Sequence, residues 1–273
     1  MNRPTSPQAA FPIPDVQSWP DERGTAIDQV GIRGLRYPLQ VADVDGVAQP
    51  TIATCNVYVA LSGDRKGTHM SRLVALLESR TGTGAAAISA ATFRTLVDDL
   101  VAQLDAPGGR VELAFPFFVR KSAPVSGVES LLDYEARIEG ELGAGGDYRQ
   151  TVSVATPVTS LCPCSKEVSE YGAHNQRSTI TITARGHAPL FLSELIRVAE
   201  DEASCELFGI LKRADEKYVT ERAYDNPRFV EDLVRAVAAR LSADPRIEAF
   251  AVEAENFESI HNHSAYARIA RGL

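Results

Sequence analysis

Cysteine is scarce: four in 273 residues, with Cys55 alone in the first half and Cys162, Cys164 and Cys205 in the second. That is no disulfide framework, and the spacing reads as reduced, intracellular thiols. No window approaches the ~18 consecutive apolar residues that a membrane-spanning helix needs. A cationic surplus is missing too. Lys and Arg number 28 against 36 Asp and Glu, a net charge of −8, which argues against coating nucleic acid or an anionic membrane. An anionic ligand has to be met by a local basic patch. Glycine and proline, 19 and 15 residues, fall well below the share of low-complexity chains. The first 24 residues lack an apolar stretch and hold Pro4, Pro7, Pro12, Pro14 and Pro20. They predict a flexible or surface-draped arm in a cytoplasmic protein rather than a secretory signal.

What is present is periodicity that changes in an ordered way. The length suggests two domains or one large one, at roughly 150 residues per domain. Val30–Tyr37 and Thr51–Val59 read as strands. Met70, Leu73, Val74 and Leu77, then Phe93, Leu96, Val97, Leu100, Val101 and Leu104, recur at helical spacing on either side of the Gly-rich residues 81–84. Val111, Leu113 and Phe115 return to period two, and a further extended run covers Glu129–Glu139. Gly143–Gly146 reads as a hinge.

The second half repeats the order. Strands are expected at Thr151–Thr159 and Thr179–Thr183, then a helix capped by Ser193 with Leu195, Ile196, Ala199 and Ala203 on one stripe. Asn226 at the cap and Pro227 at the first position predict a second helix burying Val230, Leu233, Val234, Val237 and Leu241. Extended runs follow from Arg246 to Glu258 and on to Ala270. The expectation is an α+β chain of two tandem ββααββ units, helices layered on antiparallel sheet: residues 25–143 and 144–273 after the arm.

Chemistry-bearing residues concentrate in the second half. Cys162-Pro163-Cys164 and Lys166 precede His174 by about a dozen residues. Pro163 biases Cys162 toward an extended conformation, and Cys and His are standard ligands of zinc and related ions. One such pair is too little for a closed structural site, so an open, catalytic-type site fits better. Two small buried residues beside a surface histidine would give the same pattern. His261 and His263, read as the end of a strand, share one face by period two, with Glu258 on the other, and suit proton transfer or a structural pair. Residues 211–221 are charge-rich and read by default as a solvated loop. Glu231 lies near an apolar stripe, free to face a cavity or pair with Arg235 at i+4. Residues 67–72 and 120–126 place local cations in loops, where phosphates are met.

The run Ser160–Ser178 resembles the prokaryotic type IB GTP cyclohydrolase I family, and the resemblance extends to residues 67–72, 121–126, 215–217, 226–233 and 258–263. It implies the tunnelling fold, a homotetramer with sites at subunit interfaces, and hydrolysis of GTP to formate and 7,8-dihydroneopterin triphosphate. It implies one divalent metal, zinc, manganese or ferrous iron, held by Cys162, His174 and Glu216. Cys164 and His261, with His263 in support, become proton-transfer groups. Glu231 becomes the grip on the guanine edge, and Lys166, Arg177, Lys212 and Arg72 the triphosphate contacts. Two alternatives stand beside it: an NADPH-dependent nitrile reductase of the same fold, and a non-catalytic purine or pterin binding module.

Overall fold

The computed structural model describes residues 14–80 and 84–273. Its strands are β1 (Ile27–Val41), β2 (Gln49–Leu61), β3 (Gly109–Ser122), β4 (Glu129–Leu142), β5 (Tyr148–Leu161), β6 (Asn175–Gly186), β7 (Cys205–Glu206), β8 (Ile247–Asn256) and β9 (Ala265–Arg271). Its helices are α1 (Met70–Glu78), α2 (Phe93–Leu104), α3 (Pro163–Val168), α4 (Leu192–Glu202), α5 (Arg213–Asp225) and α6 (Val230–Ala243). All nine strands among the described residues join one sheet in the order β1-β2-β3-β4-β5-β6-β8-β9, with β7 against β5, and every strand pair is antiparallel. Residues 1–13 of the expected arm and 81–83 of the expected glycine-rich link lie outside the described residues.

The inward face follows the period-two reading. Val57 and Val59, Val111 and Leu113, Ile138, Val152 and Val154, Ile180 and Ile182, and Val252 are all buried and form the core with the helices. α2 buries Phe93, Leu96, Val97, Leu100 and Leu104, and α6 buries Val230, Leu233, Val234, Val237 and Leu241, as their spacing requires. In α1 the buried set is Leu73, Leu76 and Leu77; Leu76 takes the place expected for Val74, and Met70 is exposed. Gly140 admits α2 onto β4, since a Cβ there would stand 2.8 Å from the Phe93 ring. Truncating a core residue such as Leu233 to alanine would cost about 2–5 kcal/mol.

Four local expectations are corrected. Gly143–Gly146 is a hairpin turn, with the Gly143 amide donating to the Asp147 carbonyl, and β4 pairs directly with β5 from Leu142↔Tyr148 to Glu135↔Ala155. Ser193 is not a cap. Helix α4 begins at Leu192, and Asp43, 149 residues upstream of Leu192, accepts from the Leu192 and Ser193 amides at 3.0 and 2.8 Å. Residues 213–225 are helix rather than solvated loop. Asn226 therefore ends α5 instead of starting α6; its side chain donates to the Ala203 carbonyl at 2.8 Å, and Asp232 accepts from the Phe229 amide at the true start of α6.

Candidate active site

Leu161 and Asn175 form the last rung of the β5–β6 pairing. One step beyond it, the Cys162 amide donates to the His174 carbonyl at 3.2 Å. Pro163 then opens α3, whose first turn is tied down by side chains: the Cys162 sulfur accepts from the Ser165 amide at 3.4 Å, and the Ser165 hydroxyl donates to the Cys162 carbonyl at 3.1 Å. The same hydroxyl accepts from the His174 amide at 3.2 Å. Cys162 and His174 are half-buried, whereas Cys164 is exposed. The other two thiols are buried and sit outside this chemistry; burial pushes the Cys55 thiol up to about 12 and raises Cys205 as well.

Two further segments close on this point. The Arg228 amide donates to the Leu161 carbonyl at 3.0 Å, which brings in the run carrying Glu231. The Phe257 amide donates to the Arg177 carbonyl, and Ser259 Oγ lies 3.2 Å from His174 Nδ1. That contact brings in residues 257–264. β8 ends at Asn256, so His261 and His263 lie in the β8–β9 connection and not on a strand. They come together by stacking, ring centroids 5.2 Å apart at 14°, and Glu258 has no opposite strand face to occupy. Glu231 is in the first turn of α6 rather than the second, exposed, and unpaired with Arg235 among the described residues.

Of the proposed phosphate contacts, Arg177 is exposed on β6 near this cluster. Lys166 is engaged: its Nζ donates to the Tyr224 carbonyl at 2.5 Å and lies over the Tyr224 ring. Arg72 lies apart, lining a cavity of about 370 Å³ with Asp15, His69 and Arg65. Lys212 and Glu216 sit at the exposed start of α5. Lys121, in a loop read as a phosphate contact, is instead buried on β3 between Glu200, at 2.7 Å, and Glu206. No group of three His, Cys, Asp or Glu is arranged to hold a metal ion among the described residues. The structure brings the backbones of Cys162 and His174 together, residue types suited to a mixed sulfur and nitrogen ligand set, and leaves Glu216 on a separate element.

Two features escaped the sequence reading. Ser160, Gln176, Ser178 and Asn256 occupy inward, buried positions at the same end of β5, β6 and β8, with Ser160 and Ser178 hydroxyls 2.6 Å apart. Gln176 Oε1 and Asn256 Oδ1 have no hydrogen-bond partner among the described residues. The signal was legible: the inward phase turns polar in three strands at once. The second is Asp215, fully buried in a charge-rich run. Burial alone would raise its carboxyl, yet hydrogen bonds from Ser126, Lys212 and Val125 hold it well below the usual carboxylate range.

A family model described as type I GTP cyclohydrolase folE2 matches residues 13–267. GTP cyclohydrolase FolE2 of Paraburkholderia xenovorans (strain LB400) is 58% identical over 262 residues, covering 96% of each chain. GTP cyclohydrolase FolE2 of Nitrosomonas eutropha is 55% identical over 260 residues, covering 95% of this chain and 96% of that one. Among solved structures, uricase from Arthrobacter globiformis superimposes with a TM-score of 0.50 at 11% identity, over 89% of this chain and 93% of that one. At that identity the likeness concerns the fold alone. A match that spans Cys162, His174 and every segment converging on them makes this chain a member of the type I GTP cyclohydrolase FolE2 family.

Proposed function

We propose that this chain converts GTP and water to formate and 7,8-dihydroneopterin triphosphate, the entry step of pterin and tetrahydrofolate synthesis. The observation that carries the reading is the meeting of Cys162 and His174 beyond the last β5–β6 rung, in a chain matched to the family from residue 13 to 267. Cys162 and His174, joined by Glu216, would hold one divalent ion, zinc, manganese or ferrous iron. Such an ion supplies the acidity that makes water a nucleophile at neutral pH.

The chain's own groups carry the rest. His261, its ring against that of His263, and Cys164 on the exposed side of α3 move protons during ring opening and loss of formate. Glu231 offers two acceptor oxygens to the parallel N1–H and 2-amino donors of guanine, the geometry that makes bidentate pairs selective. The triphosphate is polyanionic and the chain is acidic overall, so Arg177, Lys212 and Lys166, with Arg72 supplied across a subunit interface, must concentrate positive charge locally.

The element order β-β-α-α-β-β in the first half, followed by β5, β6, α4, α6 and β8-β9 with α3, β7 and α5 as additions, supports two tandem units of a tunnelling fold, residues 25–143 and 144–273. A homotetramer with sites at subunit interfaces is supported by the 15-residue edge strand β1, whose outer backbone pairs only at a bridge from Val41 to Ile88 among the described residues. Exposed Val44, Val47, Phe118 and Leu131 around a cleft of about 680 Å³ support it further. Free thiols and a nucleotide substrate support a cytoplasmic setting.

The test is turnover of GTP by the intact oligomer reconstituted with each ion, read as released formate and as pterin fluorescence after oxidation. Both products in metal-loaded protein and neither after chelation are expected. Absence of metal-dependent product with all three ions would overturn the reading.

A further inference from the structure

The segment Lys121–Ser126 belongs to the family-like runs, yet none of the roles above uses it. Lys121 is buried and neutralised. Its Nζ bridges Glu200 and Glu206 and lies over the Phe208 ring, and Glu200 also accepts from the Tyr134 hydroxyl at 2.7 Å. This anchors the end of β3. Beyond it the β3–β4 hairpin reaches Asp215, about 90 residues away in the chain. Asp215 Oδ1 accepts from the Val125 and Ser126 amides, each at 2.8 Å, and Oδ2 accepts from the Ser126 hydroxyl at 2.6 Å. Oδ2 also accepts from the Lys212 amide at 2.9 Å, closing the first turn of α5. The next amide, that of Glu216, donates to the Lys212 carbonyl at 2.9 Å.

We propose that Asp215 is a positioning residue: with the hairpin's Val125 and Ser126 it braces the first turn of α5, and so fixes where Lys212 and Glu216 stand. The proposal rests on the reading of Glu216 as a metal ligand and Lys212 as a phosphate contact. Four donors converge on one fully buried carboxylate, three of them from another element. An α5 held only by its own hydrogen bonds would fray at this turn, where helix amides lack internal partners. A side chain that serves as ligand cannot be placed by a fraying turn without losing affinity.

The experiment measures divalent metal affinity of the full-length protein by competition with a chromogenic chelator, alongside the melting temperature of the metal-free protein. Zinc and manganese alone are the probes. Asp215→Ala and Ser126→Ala should weaken affinity, by ~10–100-fold for Asp215→Ala and less for Ser126→Ala. Ser126→Thr, which keeps the hydroxyl, should restore it. Amide exchange in residues 213–217 should rise in the alanine variants. Where Asp215→Ala fails to fold, the Ser126 alanine and threonine pair decides. Lost metal in Glu216→Ala with unchanged affinity in Asp215→Ala and Ser126→Ala would overturn the brace alone. Unchanged affinity in Glu216→Ala would overturn the ligand assignment, and the brace with it.

Discussion

Cys162 and His174, twelve residues apart in the chain, face each other across one backbone hydrogen bond of 3.2 Å where the β5–β6 ladder ends. Because a strand pair sets this register, neither residue needs the other's side chain to hold its place. Cys162→Ala and His174→Ala should therefore bind less than one ion per site while the metal-free protein keeps its fold. Elemental analysis with circular dichroism checks this; full metal in either variant would remove that residue from the ligand set.

Among the described residues, the stacked pair His261 and His263 has no side-chain partner beyond Asn262, whose Oδ1 lies 3.3 Å from His263 Nδ1. A general acid or base contributes ~10²–10⁴-fold. His261→Asn should lower kcat within that range at unchanged metal content, Cys164→Ala should do likewise, and His263→Asn should have a smaller effect. Single-turnover kinetics with metal-loaded protein decide it, and a wild-type rate in His261→Asn would exclude the role.

Glu231 is exposed in the first turn of α6 and makes no ion pair with Arg235 among the described residues. Among the described residues its carboxylate has no hydrogen-bond or ion-pair partner, which leaves it to a ligand. Hydrogen bonds to a charged group are worth about 1.5–3 kcal/mol, so Glu231→Gln should reduce kcat/KM for GTP by roughly 10–100-fold. A change confined to thermal stability would argue for a structural role instead.

Asp43 replaces a local cap for α4 by reaching from the β1–β2 connection to the Leu192 and Ser193 amides. Asp43→Ala should cost about 0.5–2 kcal/mol of stability, measured by denaturant unfolding, whereas Ser193→Ala should cost little. The reverse ranking would contradict the cap.

Burial raises the Glu200 carboxyl above its ordinary value, with Lys121 and Tyr134 drawing it back and Glu206 adding to the rise. The folded state thus holds the proton more tightly than the unfolded one. The stabilisation from this group is complete below the unfolded carboxyl's value of 4.5 and is lost as pH rises through the folded value. The stability of the native protein relative to Glu200→Gln should fall as pH rises above the ordinary carboxyl value of 4.5. A difference independent of pH would show that Glu200 does not titrate in that window.

Much of this molecule is written in local pattern. Period two in Val111, Leu113 and Phe115, and helical spacing in Phe93, Leu96, Val97, Leu100 and Leu104, place strands and helices because a pleat and a helix each turn a fixed set of side chains inward. The run Ser160–Ser178 likewise carried the family resemblance and the Cys and His of the site in one stretch of chain. Caps and convergence were decided elsewhere. Ser193 and Asn226 look like caps, but α4 takes its cap from Asp43, because helix amides donate to whichever oxygen the fold delivers, and Asn226 closes α5 with its side chain donating to the Ala203 carbonyl. Residues 213–225 carry little apolar periodicity and become helix against the sheet, their first turn held by a hairpin from the other half of the chain. The His261–His263 pair owes its geometry to a loop conformation rather than a pleat. Local spacing determines which face a residue takes on its own element; which distant elements meet is settled only when the sheet closes its register and buries its donors.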